Sequence, residues 1–463
     1  MLNKNLIEEI LGIAIRHGGE FSEIFLENSH SLYFYWDDRR AEEVTYGEDI
    51  GAGIRIIQGD KVYYGYTTDI SELGLKKLAN NLSEVVIKGE NNRKIIMEDK
   101  KEFITKALKD YKSVEVGEGI DLLKIMDESS RNYSPRIVQF TSVIRNHTQE
   151  ILIANSEGDF VEEKRVRSVV YGFAVGEKDG LIQTGYEIVG ATLGWELFTE
   201  DLVKNVALEA SRRAILMLEA EEAPAGIMPV IISSQAGGVL IHEAVGHGLE
   251  ADLAEKGVSV YKGKIGEKVA SNSVTLVDAG VLEEKYGSSY VDDEGVKTNY
   301  NVLIDRGILK SYMHSRITAK KFGVAPTGNG RRQSFRYPPI PRMTNTFILP
   351  GNSKLGDMLD KVEKGLYVVK MGGGQVDTVS GDFVFEIEEG YMIESGKIKN
   401  PVRGATLIGN GPKILEKIEL IGDDIGFTPG TCGKDGQGVP VTDGMPTILI
   451  SEITVGGTKK RED

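Results

Sequence analysis

A chain of 463 residues is too long for one ordinary hydrophobic core, which sets an expectation of two or three domains. Hydrophobic residues at 40% and charged residues at 27% describe a globular protein, and no run nears the roughly 18 apolar residues of a bilayer span. A formal net charge of −15 argues against a dedicated nucleic-acid binder, and a single cysteine, Cys432, excludes an internal disulfide and suits a reducing compartment.

The first stretch, "MLNKNLIEEILGIAIRHGG", has helical periodicity (Leu6, Ile10 and Ala14; Ile7 and Leu11). It lacks the basic head, continuous apolar stretch and cleavage site of a signal peptide, so the expected location is the cytoplasm. "IGAGIRIIQGDKVYYGYTT" reads as a hairpin around Gln58-Gly59-Asp60, and "ISELGLKKLANNLSEVV" as a helix. The charged stretch 90–112 marks a boundary. Residues 113–220 repeat the theme: a helix near 119–132, strands punctuated by "NSEGD" and "EKDG", then a long helix over Glu200–Glu219. Pro224 in "EEAPAG" cannot continue that helix, so this segment is the linker. The remainder carries most of the glycine and reads mainly as strands and turns. One helix interrupts it: "MPVIISS" is a buried strand, Ser233 or Ser234 caps, and "QAGGVLIHEAVGHGLEADL" follows as one helix. The expected architecture is α+β: an α/β region over 1–100, a middle α/β domain over 113–220, and a large β-rich domain over 227–460 that carries the histidine helix.

That helix holds His242, Glu243 and His247. Zinc peptidases usually space the two histidines four apart, a separation of about 40° around an ideal helix; five apart gives about 140°, too far to share one metal. One extra residue taken up as a π-bulge returns both imidazoles to one face. Gly246 and Gly248 flank His247, and glycine eases such a distortion at a cost of about 1 kcal/mol in helix stability. A pair of histidines alone is a weak pattern, since either could be an ordinary buried side chain. Glu243 sharpens it, because a carboxylate beside the first ligand is placed to accept a proton from an activated water. Zinc normally takes a third protein ligand plus water. Glu250 and Asp252 lie near, His314 and Cys432 farther along. Cys432 is favoured: it lies in "GFTPGTCGKDGQGVPV", read as a loop with five glycines and no place in a packed core, where the backbone approaches closely and a thiolate is a good ligand.

Four separated segments give a more specific signal. "HEAVGHGLEAD" (242–252), "APTGNGRRQSFRYPPIPRMTNTFILPG" (325–351), "GGGQVDTVSGDFVF" (372–385) and "GTCGKDGQGVPVTDGMPTILISEITVGG" (430–457) resemble, in order, the metal-bearing branch of the TldD/PmbA metalloprotease family, also called modulators of DNA gyrase. The resemblance spans nearly the whole chain. It implies zinc on His242, His247 and Cys432, Glu243 as the catalytic carboxylate, and peptides or unfolded polypeptide as substrate. It also implies a dimer, either of identical chains or with the family's metal-free paralogue (PmbA, also called TldE). The stretch 251–271 diverges from the family pattern, which leaves substrate preference open. Two other readings stand beside the zinc peptidase. One is a cysteine peptidase with Cys432 as nucleophile and His242 or His247 as base; the other is a non-catalytic regulatory protein in which zinc is structural.

Residues 306–356 contain ten Lys or Arg and no Asp or Glu. The simplest expectation is packing against acidic parts of this chain or a partner. A sharper one is that Arg331, Arg332 or Arg342 grips a peptide carboxylate in a bidentate pair. A nucleic-acid surface is the weakest, with no recognised motif or aromatic interleaving. "GGGQVD" and "GNGRR" lack phosphate-loop spacing and read as turns and close backbone approaches.

Overall fold

Asn3 accepts a hydrogen bond from the Leu6 N–H and starts helix α1 (Lys4–Ile15), whose Ile7, Ile10, Leu11 and Ala14 turn inward at the expected period. A computed structural model describes residues 3–87 and 89–459, so the expected domain end at residue 460 lies outside the described residues. After α1 the chain runs through strands β1 (Phe21–Asp37), β2 (Arg40–Gln58) and β3 (Lys61–Thr67), then helix α2 (Glu72–Val85), capped by the Ser71 hydroxyl. A short strand β4 (Lys101–Ile104) crosses the charged stretch. The order then repeats: helix α3 (Val116–Tyr133), strands β5 (Ile137–Asn155), β6 (Phe160–Lys178) and β7 (Leu181–Ala191), and helix α4 (Glu200–Glu219).

The two repeats build one sheet. Its order is β3-β2-β1-β5-β6-β4, with β7 also on β6, and β1 meets β5 antiparallel in unbroken register from Glu23↔Asn155 to Asp37↔Thr141. Strands of 17 and 19 residues reach about 60 Å at 3.3 Å per residue, far beyond the usual length. They are long because each serves two cores. Ile24, Ile54 and Ala154 pack under α1 and α2, while Phe34, Ile144 and Val170 pack under α3 and α4.

Besides a two-stranded sheet, Gly330–Arg331 with Ile340–Pro341, the C-terminal domain has two large sheets. In one, strand Gly226–Ile232 lies between Lys364–Val376 and Ile448–Gly456, and the circuit closes through Thr406–Asn410 and Asp382–Glu394 back to Lys364–Val376. This is a closed ring of strands. The other sheet has six strands and ends on the hairpin Gln437–Met445 with Gly426–Lys434. The histidine segment is wedged between them: Leu240, Ile241 and Val245 share one core with Phe385 and Leu407 of the ring and with Val439 and Val441 of the hairpin.

The basic window 306–356 largely closes this domain onto the N-terminal sheet. Arg332 pairs with Glu23, and Arg336 with Asp49. Arg316 binds Glu157 and Asp159, each at 2.7 Å. Acidic residues of the C-terminal domain reciprocate, Glu294 binding Arg55 at 2.7 Å and Asp293 binding Arg165 at 2.6 Å. Phe335 inserts between the halves: a Cβ on Gly51 would lie 2.2 Å from its ring, so the small residue makes the pocket. Packing within the chain is therefore the main role of this window. Arg331 and Arg342 are buried on backbone carbonyls, of Met343 and Pro440 and of Cys432 and Gln437 respectively, which removes them as grips for a peptide carboxylate.

Candidate metal centre

The segment expected as one helix over 235–253 is broken into pieces. Ser233 accepts from the Gln235 N–H and caps a single tight turn, Ser234–Ala236. Gly237 follows at φ 70°, a conformation that disfavours any other residue, and at Gly238 a Cβ would sit 2.3 Å from the Gly444 amide nitrogen. The helix start therefore presses directly on strand Gln437–Met445. One short α-helical stretch, Val239–Ile241, leads into a π-helical turn over His242–Gly246, then a 3-10 turn over His247–Leu249. The wide turn is the one that the five-residue histidine spacing demands. Glu250 adopts an extended backbone and ends the run, and a separate helix, Ala251–Lys256, begins.

The flanking glycines have a different reason from the one expected. Gly246 keeps ordinary helical angles (φ −57°, ψ −50°), but a Cβ there would meet Met343 Sδ at 2.1 Å, and one on Gly248 would meet the Tyr261 ring at 2.7 Å. They supply room for neighbours, not backbone freedom. Cys432 also differs from expectation. It lies in a strand, not a loop, and is 2% exposed within the core. Asp435 and Gly436, both at positive φ, form the tight turn between the two strands.

These elements bring one donor atom each of His242, His247 and Cys432 within 4.8 Å of one another. The His242 Nδ1–H donates to Asp443 Oδ1 at 2.7 Å and the His247 Nδ1–H to Glu250 Oε2 at 3.0 Å, which leaves Nε2 of each ring as the free donor. Cys432 Sγ lies 3.6 Å from His247 Nε2, and the two rings stand at 89° with centroids 5.0 Å apart. A metal with nitrogen and sulfur preference fits this set: two oriented imidazoles, one thiolate, and among the described residues no fourth side chain in the cluster. Glu243 is at its rim, its carboxylate 3.9 Å from His247 Nε2 and its side chain 32% exposed.

The electrostatics agree with a cation site that holds no charge of its own to spare. Burial alone would keep both imidazoles neutral, but the Asp443 carboxylate raises His242 well above its ordinary range and Glu250 raises His247 to about 10. Burial likewise opposes a thiolate, yet the neighbouring imidazolium charges bring Cys432 down to about 6. Glu250, resisted by burial, is held near 2 by Lys434 and His247. A divalent cation would take the place of the imidazole protons and satisfy the same carboxylates and thiolate.

The other candidate ligands are elsewhere. Glu250 orients His247, Asp252 pairs with Lys434 at 2.7 Å, and His314 sits apart among Tyr312 and Phe322. Sequence reasoning missed Asp443, though it stands in the same glycine-rich hairpin as Cys432, and did not see that Glu250 would hold a histidine in place of a metal.

Sequence profiles for domain 1, the central domain and the C-terminal domain of the PmbA/TldA metallopeptidases match residues 22–86, 109–218 and 225–457. The chain is 36% identical to the metalloprotease TldD homolog of Haemophilus influenzae, over 99% of this chain and 97% of that protein. It is 30% identical to the zinc metalloprotease TldD homolog of Saccharolobus solfataricus, over 89% of this chain and 91% of that one. Two solved structures share the fold. A protein described as a modulator of a DNA gyrase from Thermotoga maritima superposes with a TM-score of 0.78 at 21% identity, covering 98% of this chain and 99% of its own. TldE from Thermococcus kodakarensis does so with a TM-score of 0.76 at 17% identity, again over 98% and 99%.

Proposed function

This chain belongs to the PmbA/TldA metallopeptidase family, and from that premise we propose that it is a zinc-dependent peptidase acting on unfolded polypeptide. One observation carries the reading: two imidazoles and a thiolate converge within 4.8 Å beside the half-exposed Glu243. His242, His247 and Cys432 would hold the metal, and zinc, when bound, would supply Lewis acidity. Glu243 accepts the proton of the attacking water and returns it to the leaving amine. Asp443 and Glu250 fix the two ring orientations, and Lys434, 3.1 Å from Glu250, holds that carboxylate ionised. A structural zinc would want a fourth protein ligand, and a cysteine nucleophile would want an accessible sulfur; neither is favoured by two imidazoles around a buried thiol.

The substrate reading rests on the edge of the six-stranded sheet. Strand Gly426–Lys434 carries Cys432 and pairs on its outer side with no strand among the described residues. An extended peptide laid there gains backbone hydrogen bonds with weak side-chain selection, and a folded protein offers such a strand only by local unfolding. A dimer, of two copies or with a metal-free paralogue, is the working assembly, supported by the shared fold with TldE. A reducing compartment, the cytoplasm, suits a lone thiol that must remain a ligand.

The test offers one small protein in its native form and as an unfolded variant of nearly the same sequence. Chelator-sensitive, zinc-restored cleavage of the unfolded form alone is expected. Equal cleavage of both, with the native form still folded, contradicts the extended-strand substrate, and activity indifferent to chelator contradicts the metal.

A further inference from the structure

A cavity of about 520 Å³ lies between the N-terminal sheet and the C-terminal domain, against the two segments that lead into Glu243 and Cys432. One wall contains Val239, a turn before Glu243, and Gly430 and Thr431, which lead into Cys432. The opposite wall belongs to the middle of the long strands: Tyr33 of β1, Arg145 of β5 and Tyr171 of β6, with Tyr33 and Arg145 in direct register. The cavity thus has chain neighbours of Glu243 and Cys432 on one side and aromatic rings with one arginine on the other.

Arg145 differs from most arginines of this chain. In a protein of net charge −15, Arg55, Arg165, Arg213, Arg316, Arg332 and Arg336 all have carboxylate partners. Arg145 is exposed, and among the described residues its guanidinium has neither an ion-pair nor a hydrogen-bond partner. Two other charged groups line the cavity. Lys370 is buried and answered by Glu187 at 3.4 Å. Glu388 leaves one buried carboxylate oxygen without a hydrogen-bond partner, and burial raises its pKa despite Lys370 and Arg213. Of the two cations that line the cavity, Arg145 is the one without a carboxylate partner among the described residues.

We propose that Arg145 is a specificity-determining residue of the peptidase, receiving a carboxylate of the bound polypeptide while the tyrosine rings cover the adjoining chain. A planar guanidinium on a semi-enclosed wall matches a carboxylate by paired N–H donors, and the flanking aromatic faces tolerate many aliphatic stems. The carboxylate is supplied either by an Asp or Glu side chain near the scissile bond or by the free C-terminus of a short peptide. The inference rests on the peptidase reading above and adds to edge-strand binding, which alone reads side chains weakly, a preference for acidic substrate.

Matched peptides carrying Glu, Gln or Lys at each position around the cleavage site, each with a free or amidated C-terminus, test it. Cleavage is measured as kcat/KM for the zinc-loaded enzyme and for Arg145→Gln and Arg145→Glu. A hydrogen-bonded charge pair corresponds to a preference of about tenfold or more for the acidic member at one position. Arg145→Gln removes that preference, and Arg145→Glu turns it toward Lys. If the free-versus-amidated contrast collapses instead, the carboxylate is the chain terminus. Ratios unchanged between wild type and Arg145→Gln overturn the proposal. Should the wild type cleave nothing, the peptidase reading fails separately, and equilibrium binding of the same fluorescent peptides to Glu243→Gln decides on Arg145: a Glu-over-Gln preference that Arg145→Gln abolishes upholds it, and equal or absent binding overturns it.

Discussion

Two buried clusters of charged and titratable side chains sit in this protein, and they are built on opposite principles. At the seam between the N-terminal sheet and the C-terminal domain, Glu23 is shared by Arg55 and Arg332, and Asp293 takes Arg165. Glu23 and Asp293 are thus each met by arginine, and Arg332 also lies over the Phe25 ring at 4.4 Å. At the His242–His247–Cys432 cluster Asp443 and Glu250 hold the outer nitrogens of the histidines, and the inner ring nitrogens converge with the Cys432 sulfur. Burial and perturbed pKa values are common to both clusters and do not separate structure from function. What separates them is the chemistry of the convergent atoms: paired opposite charges at the seam, and two imidazole nitrogens with a thiol sulfur at the histidine–cysteine cluster.

Substitutions should therefore fail differently in the two places. The largest effect is expected from His242→Ala, His247→Ala or Cys432→Ala, each losing bound zinc by elemental analysis and turnover down to background. Full zinc retention in Cys432→Ala would remove the thiol from the site. At the seam, Arg332→Ala strands part of the Glu23 charge in a fully buried place, and about 3–5 kcal/mol of stability should go, read from denaturant midpoints. The protein that remains folded should keep its zinc. Asp443→Asn and Glu250→Gln remove no ligand but free a ring, so zinc affinity should fall by about 10–100-fold in competition with a chelator. An unchanged affinity would make these carboxylates packing partners only. Gly246→Ala should be smallest, about 1–3 kcal/mol from the clash with Met343 and partly relieved by Met343→Ala; no relief would mean that backbone freedom, not space, is why glycine is there.

Local signals in the sequence were legible and distant ones were not. The Ser71 and Thr199 caps and the Asp60-containing turn sit where sequence patterns placed helices and a hairpin, and helix α4 keeps both expected ends. The π turn follows from histidine spacing alone, because no other simple helix geometry faces residues five apart together. The uninterrupted helix over 235–253 failed because the geometry of Gly237 and the pressure of strand Gln437–Met445 outweighed the apolar periodicity. Reading Cys432 as a loop residue gave too much weight to glycine count; Asp435-Gly436 was a hairpin signal within the same segment. The length of the strands was hidden because alternation along β1 and β5 carries no mark of where one helix layer ends and the next begins. Nothing near Arg332 could announce Glu23, which lies 309 positions away in sequence.

On the proposed function, His242, His247 and Cys432 would hold a catalytic zinc and Glu243 would move the proton. Glu243→Gln keeps the side chain's shape and removes its basicity, so zinc content and activity measured on the same preparation test the claim directly. One zinc per chain, as in the wild type, is expected, with kcat on an unfolded polypeptide reduced by about 10²–10⁴-fold. Near-normal turnover in that zinc-loaded variant would contradict it.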